Sequence, residues 1–310
     1  MERTKSFDAA TTSEQVLEGV NLAGKRVLVT GVSAGLGEET VRQIAAKGAE
    51  VAGTARDLGK ARAALGNIPG LELVELDLAS LASVRNCADK LNADGRKFDL
   101  VIANAGVMHV PKGATSDGFE THFGTNYLGH FVLINRILPL LRPGSRIVNV
   151  TSWGHNYGDV DLDDLNYDKP PYDEHDAYGR SKTANILFAV ELDRRLKAKG
   201  IRATAVHPGG IPTELYRHMD PAFVSQLTAV PEDGGAPILP KSVSQGAASQ
   251  IWAGLVAPAE EVGGRYVEDC HVAETVDNGD VFFGVRDYAV NPDRARSLWA
   301  KAEQMVGESF

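Results

Sequence analysis

The stretch Arg26-Val27-Leu28-Val29-Thr30-Gly31-Val32-Ser33-Ala34-Gly35-Leu36-Gly37 decides how this 310-residue chain folds. Arg26–Thr30 reads as a buried strand that runs directly into a glycine-rich turn. An apolar-periodic segment follows at 38–47 and stops at Gly48, which predicts a helix closed by a glycine. Strand, glycine turn and helix make the first half of a βαβ unit. The glycines serve a tight turn, a close approach of backbone N–H groups to phosphate, and close packing of helix on strand. The positive end of the helix dipole then faces an anionic ligand.

Outward from that stretch the alternation continues. Strands are expected at Glu50–Ala55, at 71–76 and at Phe98–Ala103, ending respectively at Arg56, at Asp77-Leu78 and at Asn104-Ala105-Gly106. Helices fit between them at Leu58–Leu65 and 80–91. Residues 117–141 carry an apolar stripe interrupted by Gly124, Asn126 and Gly129, and a buried Asn there can bond its own backbone turn. Strands at 145–150 and 202–206 leave Thr151-Ser152 and His207-Pro208-Gly209-Gly210 at the mouth of the sheet, where open α/β folds bind ligands. A helix at 243–255, a strand at 264–267 and an amphipathic helix at 292–306 complete the chain. These elements predict α/β architecture, a doubly wound parallel sheet with helices on both faces, in one domain over 23–310. Residues 1–22 read as a polar lead-in with one short helix, where Thr11-x-x-Glu14 has capping-box spacing. The loop at 153–177 is expected to wall a pocket. The Pro- and Gly-rich segment at 211–244, with Leu215, Tyr216, Met219 and Phe223, is expected to act as a substrate lid.

A net charge of −9 argues against a general nucleic-acid binder or a binder of anionic membranes, either of which would want a basic face. Cys87 and Cys270 build no disulfide framework, and no cysteine–histidine spacing suggests a metal site. With no apolar segment at the N-terminus and no run long enough to span a bilayer, a soluble protein of a reducing compartment, the cytoplasm, is the expectation.

The chemistry is expected at Tyr178-Gly-Arg-Ser-Lys182, which opens a long helical segment ending at Lys199-Gly200. Residues i and i+4 share a helix face, so the phenol of Tyr178 and the ammonium of Lys182 can point into one site. A nearby cation stabilises phenolate, so the pair can exchange a proton with a substrate oxygen nearer neutral pH. That equipment suits the interconversion of an alcohol and a carbonyl.

Taken together, Thr30-Gly31-x-x-x-Gly35-Leu36-Gly37, Asp77-Leu78, Asn104-Ala105-Gly106, Asn126-x-x-Gly129-x-Phe131, Thr151-Ser152, Tyr178-x-x-x-Lys182 and Pro208-Gly209 resemble the short-chain dehydrogenase/reductase family, from about residue 23 to the C-terminus. The phrases running from Tyr178 to Phe188 and from Val206 to Gly209 look most like its retinol-dehydrogenase-like branch, which includes the WW-domain oxidoreductase. The resemblance implies a Rossmann-like fold, with Tyr178 as general acid or base and Lys182 lowering its pKa while holding the nicotinamide ribose. Ser152 would hold the substrate oxygen, and Asn126 would anchor a water that reaches Lys182. It also implies that Gly31, Ser33, Gly35, Leu36 and Gly37 cradle the pyrophosphate. Asp77 and Leu78 would meet the adenine, Asn104, Ala105 and Gly106 the adenosine ribose, and Pro208, Gly209, Ile211 and Thr213 the carboxamide. Membrane-bound members of the branch carry an apolar N-terminal anchor and this chain opens on a polar lead-in, so a lipid-dissolved retinoid is not the expected substrate.

NAD-binding relatives place an acid at the end of the second strand to accept from the ribose hydroxyls. Here that place holds Ala55 followed by Arg56, which can grip a 2′-phosphate, so NADP(H) is expected over NAD(H). The expected substrate is a medium-sized apolar ketone or aldehyde, or the matching alcohol. Two other readings stay open: a dinucleotide-sensing or scaffold protein without catalysis, and a C=C reductase or epimerase using the same residues. The apolar surface expected on the helices near 119–141 and 178–199 suggests a homodimer or homotetramer, unless the final helix covers it.

Overall fold

The computed structural model describes residues 6–169, 171–219, 240–276 and 283–310. Its strands are β1 (Arg26–Thr30), β2 (Glu50–Ala55), β3 (Leu71–Glu75), β4 (Phe98–Ala103), β5 (Leu141–Val150), β6 (Arg202–His207), β7 (Tyr266–Glu268) and β8 (His271–Val272). They form one sheet in the order β3-β2-β1-β4-β5-β6-β7-β8, parallel except for the β7–β8 pair. The chain winds from β1 out to β3 and then returns to β4 on the other side of β1. A crevice therefore opens beyond the C-terminal ends of β1 and β4, where the winding reverses.

The helices are α1 (Ser13–Val16), α2 (Gly35–Ala46), α3 (Leu58–Leu65), α4 (Leu81–Asp94), α5 (Gly129–Ile137), α6 (Glu174–Leu196), α7 (Val243–Ile251), α8 (Ala259–Val262), α9 (Asp287–Val290) and α10 (Pro292–Val306). Strand side chains alternate between faces, so Val27 and Val29 point to one layer and Leu28 to the other. The first layer packs Val41 and Ile44 of α2 with Ala247 and Ile251 of α7. The second packs Val84 and Leu91 of α4, Phe131 and Ile134 of α5, Leu187 and Phe188 of α6, and Leu298 and Trp299 of α10.

Most expected elements stand where the sequence puts them, and the departures have local causes. The lead-in capping box uses Thr12 and Gln15. Thr11 is occupied with Asp8, whose backbone N–H donates to the Thr11 hydroxyl at 2.8 Å. α2 begins at Gly35 rather than at 38, so the glycine turn is itself the first helical turn. α6 begins at Glu174, ahead of Tyr178, because Asp173 accepts from the N–H groups of His175 and Asp176 and caps it there. The apolar segment at 117–141 is not one regular helix: Phe123–Leu128 is a π-helical turn, with Gly129 N–H bonded to the Gly124 carbonyl five residues back. A second π turn, Trp252–Val256, ends the segment expected as helix at 243–255. β5 starts earlier than expected, β7 starts two residues later and ends one later than expected, and the short β8, α8 and α9 carry too little pattern to be read from sequence. Of the segment expected as a lid, residues 220–239 lie outside the described residues.

The apolar surplus of α5 and α6 is taken up inside the chain. The Trp299 ring on α10 meets Phe131 edge-on at 5.0 Å between centroids and lies 5.8 Å from Phe188, while the Arg195 guanidinium covers it at 3.9 Å. The one exposed large apolar side chain among the described residues is Phe283. α10 therefore covers part of the apolar surface of α5 and α6, the alternative that the sequence reading allowed beside an oligomer. Trp299→Ala is expected to destabilise the fold by about 3–5 kcal/mol, the usual cost of emptying a buried Trp site. A loss below about 1 kcal/mol in urea unfolding would show that α10 is peripheral to the core.

Candidate active site

At the end of β1 the backbone turns through Gly31 at φ +74°, where a Cβ would fall 2.8 Å from that of Ala105. A Cβ on Gly37 would fall 2.2 Å from the Gly31 carbonyl oxygen and 2.7 Å from Asn104 Nδ2. The turn is therefore closed by backbone packed on backbone, with the Asn104 amide donating to the Thr30 carbonyl at 2.9 Å. Gly37 makes this packing and does not line the cleft.

Thr30 ties the turn to the next strand. Its hydroxyl accepts from the N–H groups of Asn104 (2.9 Å) and Ala105 (3.0 Å) and bonds His130 Nε2 at 2.9 Å. The other ring nitrogen of His130 bonds the Asn126 carbonyl at 3.0 Å. A carbonyl only accepts, so Nδ1 carries the proton and Nε2 accepts from Thr30. Burial pulls His130 down to about 4, in keeping with a neutral ring.

Asn126 sits in the π turn, and the turn aims its side chain outward from its own helix. The amide donates to the Val107 carbonyl (3.0 Å) and to Ser181 Oγ (2.9 Å), and Oδ1 accepts from Val107 N–H (2.8 Å). Its side-chain partners thus lie outside its own helical turn, so the blander of the two sequence readings, a bond to that turn, is not what the structure has. A Cβ on Gly106 would stand 3.0 Å from Asn126 Oδ1 and 3.6 Å from Lys182 Nζ, so both side chains converge on that backbone.

Tyr178 and Lys182 lie on one face of α6, with Nζ 5.6 Å from the centre of the Tyr178 ring. Both are buried, and Nζ donates to the Val150 carbonyl at 3.3 Å. Among the described residues no carboxylate pairs with it, and burial pulls the ammonium down to about 8. Burial also pushes the Tyr178 phenol above its ordinary value, against a smaller lowering by its hydrogen bond with Ser152. The lowering of Tyr178 by Lys182 expected from sequence is not seen in the protein without ligand: burial raises the phenol, and the opposing influence is the Ser152 hydrogen bond. Gly154 allows the arrangement, since a Cβ there would fall 2.7 Å from the Tyr178 ring.

Several of these groups line one open cleft with roughly 250 Å³ of free space. Gly31, Ser33, Gly35, Leu36, Asn104, Ala105, Gly106, Ser152, Tyr178, Lys182, Pro208, Gly209, Ile211 and Thr213 all line it, together with Met108, Glu214, Leu215, Tyr216 and Arg217. Arg56, Asp77, Leu78 and Asn126 lie outside that lining. Arg56 is exposed at the end of β2 and forms no ion pair with a described residue. The neighbouring acid, Asp57, instead caps α3 by accepting from Lys60 N–H at 2.9 Å. Asp77 accepts from Ala79 N–H (2.9 Å), and Leu78 is buried so tightly that a Cβ on Gly129 would fall 2.6 Å from its carbonyl oxygen.

Three histidines that sequence reasoning gave no role hold the site from behind. Besides His130, His155 bonds the Ser152 carbonyl through Nδ1 (2.9 Å) and accepts from Arg286 N–H through Nε2 (3.2 Å). His207 Nδ1 accepts from Trp153 N–H at 3.1 Å. Together they fix the turn that presents Ser152. A histidine next to each motif was the available signal, but its partners are remote in sequence.

A glycine turn at the end of β1, beside a phenol, a hydroxyl and a buried ammonium in one cleft, is the arrangement of an α/β oxidoreductase. The chain belongs to the short-chain dehydrogenase/reductase family: the family model described as "short chain dehydrogenase" matches residues 25–222. It is 36% identical to human retinol dehydrogenase 13 over 301 residues, covering 92% of this chain and 86% of that protein. A crystal structure from Mycobacterium paratuberculosis superposes with a TM-score of 0.74 at 34% identity, covering 99% of both chains. A short-chain dehydrogenase from Burkholderia cenocepacia in complex with NADP superposes with a TM-score of 0.64 at 26% identity, covering 81% of this chain and 98% of that one. Among the described residues no helix is long and apolar enough to cross a membrane.

An unpaired buried cation costs stability. The folded value of Lys182, about 8 against 10.5, means the penalty is fully present below pH 8 and is relieved as pH rises toward 10.5. Lys182→Met is therefore expected to stabilise the ligand-free protein at pH 7 by about 1–3 kcal/mol, with the gain shrinking toward pH 10. Equal or lower stability of the variant in denaturant titrations at pH 7 would contradict this.

Proposed function

We propose that the protein is an NADP(H)-dependent oxidoreductase that interconverts a ketone or aldehyde with its alcohol on a medium-sized apolar substrate. The observation that carries this reading is the convergence of Tyr178, Ser152 and Lys182 in the cleft that the glycine turn also lines. The nicotinamide, when bound, supplies or takes the hydride. Ser152 holds the substrate oxygen by a hydrogen bond, and Tyr178 donates a proton to that oxygen in reduction or takes one in oxidation. Lys182 is a fixed cation beneath the Tyr178 ring that favours the phenolate once the phenol has given up its proton. Its two unused donors are available to ribose hydroxyls, which would replace part of the hydration lost on burial. Asn126, through Val107 and Ser181, keeps the backbone beside Lys182 in place. Met108, Leu215 and Tyr216 supply an apolar wall suited to a hydrophobic substrate body.

A dinucleotide is supported by the glycine turn, where Gly31, Ser33, Gly35 and Leu36 line the cleft beside Asn104, Ala105 and Gly106 and offer backbone with little side-chain cover. Arg56 supports a phosphate on the adenosine ribose, because it is exposed and unpaired while Asp57 is engaged in its cap. The Burkholderia relative binds NADP. The cytoplasm remains the proposed location.

Tyr178→Phe keeps the ring and removes the proton donor, so turnover should fall by about 10²–10⁴-fold while cofactor affinity is retained. Near-normal turnover of this variant would refute the assignment. For the cofactor, kcat/KM with NADPH should exceed that with NADH, and Ala55→Asp combined with Arg56→Ala should abolish or invert the preference. Equal or better kcat/KM with NADH in the unaltered enzyme would end the NADP(H) reading.

A further inference from the structure

We propose that His109, Glu174 and His175 form a binding site for one divalent cation of the zinc class, beside Tyr178 and separate from the dinucleotide cleft. One ligand atom from each of the three lies within 4.8 Å of the others, and this is the one such group of His, Cys, Asp or Glu among the described residues. The residues come from two distant stretches. His109 follows the turn after β4, while Glu174 and His175 form the first turn of α6. The two imidazoles meet with centroids 4.1 Å apart and planes at 69°. A metal bonded at about 2.0–2.2 Å holds its ligands about 3.4 Å apart, so the group must close by up to about 1.5 Å. Glu174 and His175 are only partly buried, so their side chains have room for that adjustment.

The backbone at His109 adds an independent observation. It is a buried non-glycine residue at φ +50°, a left-handed conformation that costs energy and must be imposed by its surroundings. In that conformation the ring is delivered to His175 and stands 5.7 Å from the Tyr178 ring. Two imidazoles and a carboxylate select zinc, copper, nickel or cobalt over magnesium or calcium, which prefer oxygen ligands alone. The helix dipole opposes a cation at the start of α6. Asp173, Glu174 and Asp176 together oppose that effect in the same turn, with Asp176 partly committed to Arg180. A cation here would join the loop after β4 to the turn that presents Tyr178.

The test uses the tag-free full-length chain, stripped with EDTA, freed of the chelator and held without nucleotide, so that its outcome is independent of the redox reading. Titration with Co²⁺ should give visible ligand-field absorption that saturates at one equivalent and is bleached by Zn²⁺. His109→Asn, chosen because Asn tolerates positive φ, and His175→Gln should each weaken Co²⁺ binding more than about tenfold. Should His109→Asn fail to fold, His175→Gln and Glu174→Gln, at partly exposed positions, carry the test. Absence of the absorption, or unchanged binding in the folded variants, would overturn the proposal.

Discussion

The hydroxyl oxygen of Thr30 joins three elements at one buried point. It takes two backbone N–H groups from the end of β4 and gives its proton to His130, which passes the constraint to the Asn126 carbonyl. Every donor and acceptor in that chain is satisfied, which makes the geometry well determined, because any displacement would leave a buried polar group unpaired at about 1–3 kcal/mol. The glycine turn, the Asn104-Ala105-Gly106 backbone and the π turn are thus held in register with one another. The two halves of the cleft are one mechanical unit.

Against this satisfied network stands Lys182, a buried ammonium with a carbonyl as its recorded partner. The surrounding layers hold it in place: Leu187 and Phe188 further along α6 are locked between α5 and α10, so the helix cannot roll to expose the charge. Stability drawn from packing is set against an ionic group that folding alone would exclude. Such a conflict between local preference and tertiary placement is expected at a functional site.

The same helix shows how close approach is arranged. Gly154, Gly158 and Gly179 each stand where a Cβ would fall within 2.7 Å of a neighbouring atom, so the turn after Ser152 lies directly on α6. Ser152 and Tyr178 come from different elements, and their hydrogen bond exists because no side chains separate the two backbones. His155 and His207 then fix the turn from the sheet side.

The order of strands and helices was legible in the sequence because each depends on local periodicity and punctuation. β1, β2, β4, α3 and α10 begin and end at the expected residues, with β1 closed by Gly31 and the two helices opened by the caps Asp57 and Asn291. Part of the cleft lining was legible as well, since several motif residues sit at strand ends and i,i+4 spacing brings Tyr178 and Lys182 to one face, whereas Gly37, Arg56, Asp77, Leu78 and Asn126 lie outside that lining. Other features depended on contacts between remote segments. The π turn at Asn126 depends on Val107 and Ser181, the raised phenol of Tyr178 on burial by whole layers, and the covered face of α5 and α6 on a helix at the far end of the chain. The meeting of His109 with Glu174 and His175 belongs to the same class. No spacing along the sequence encodes it, because 65 positions separate the first two and only the tertiary fold, with a strained backbone at His109, brings their side chains together.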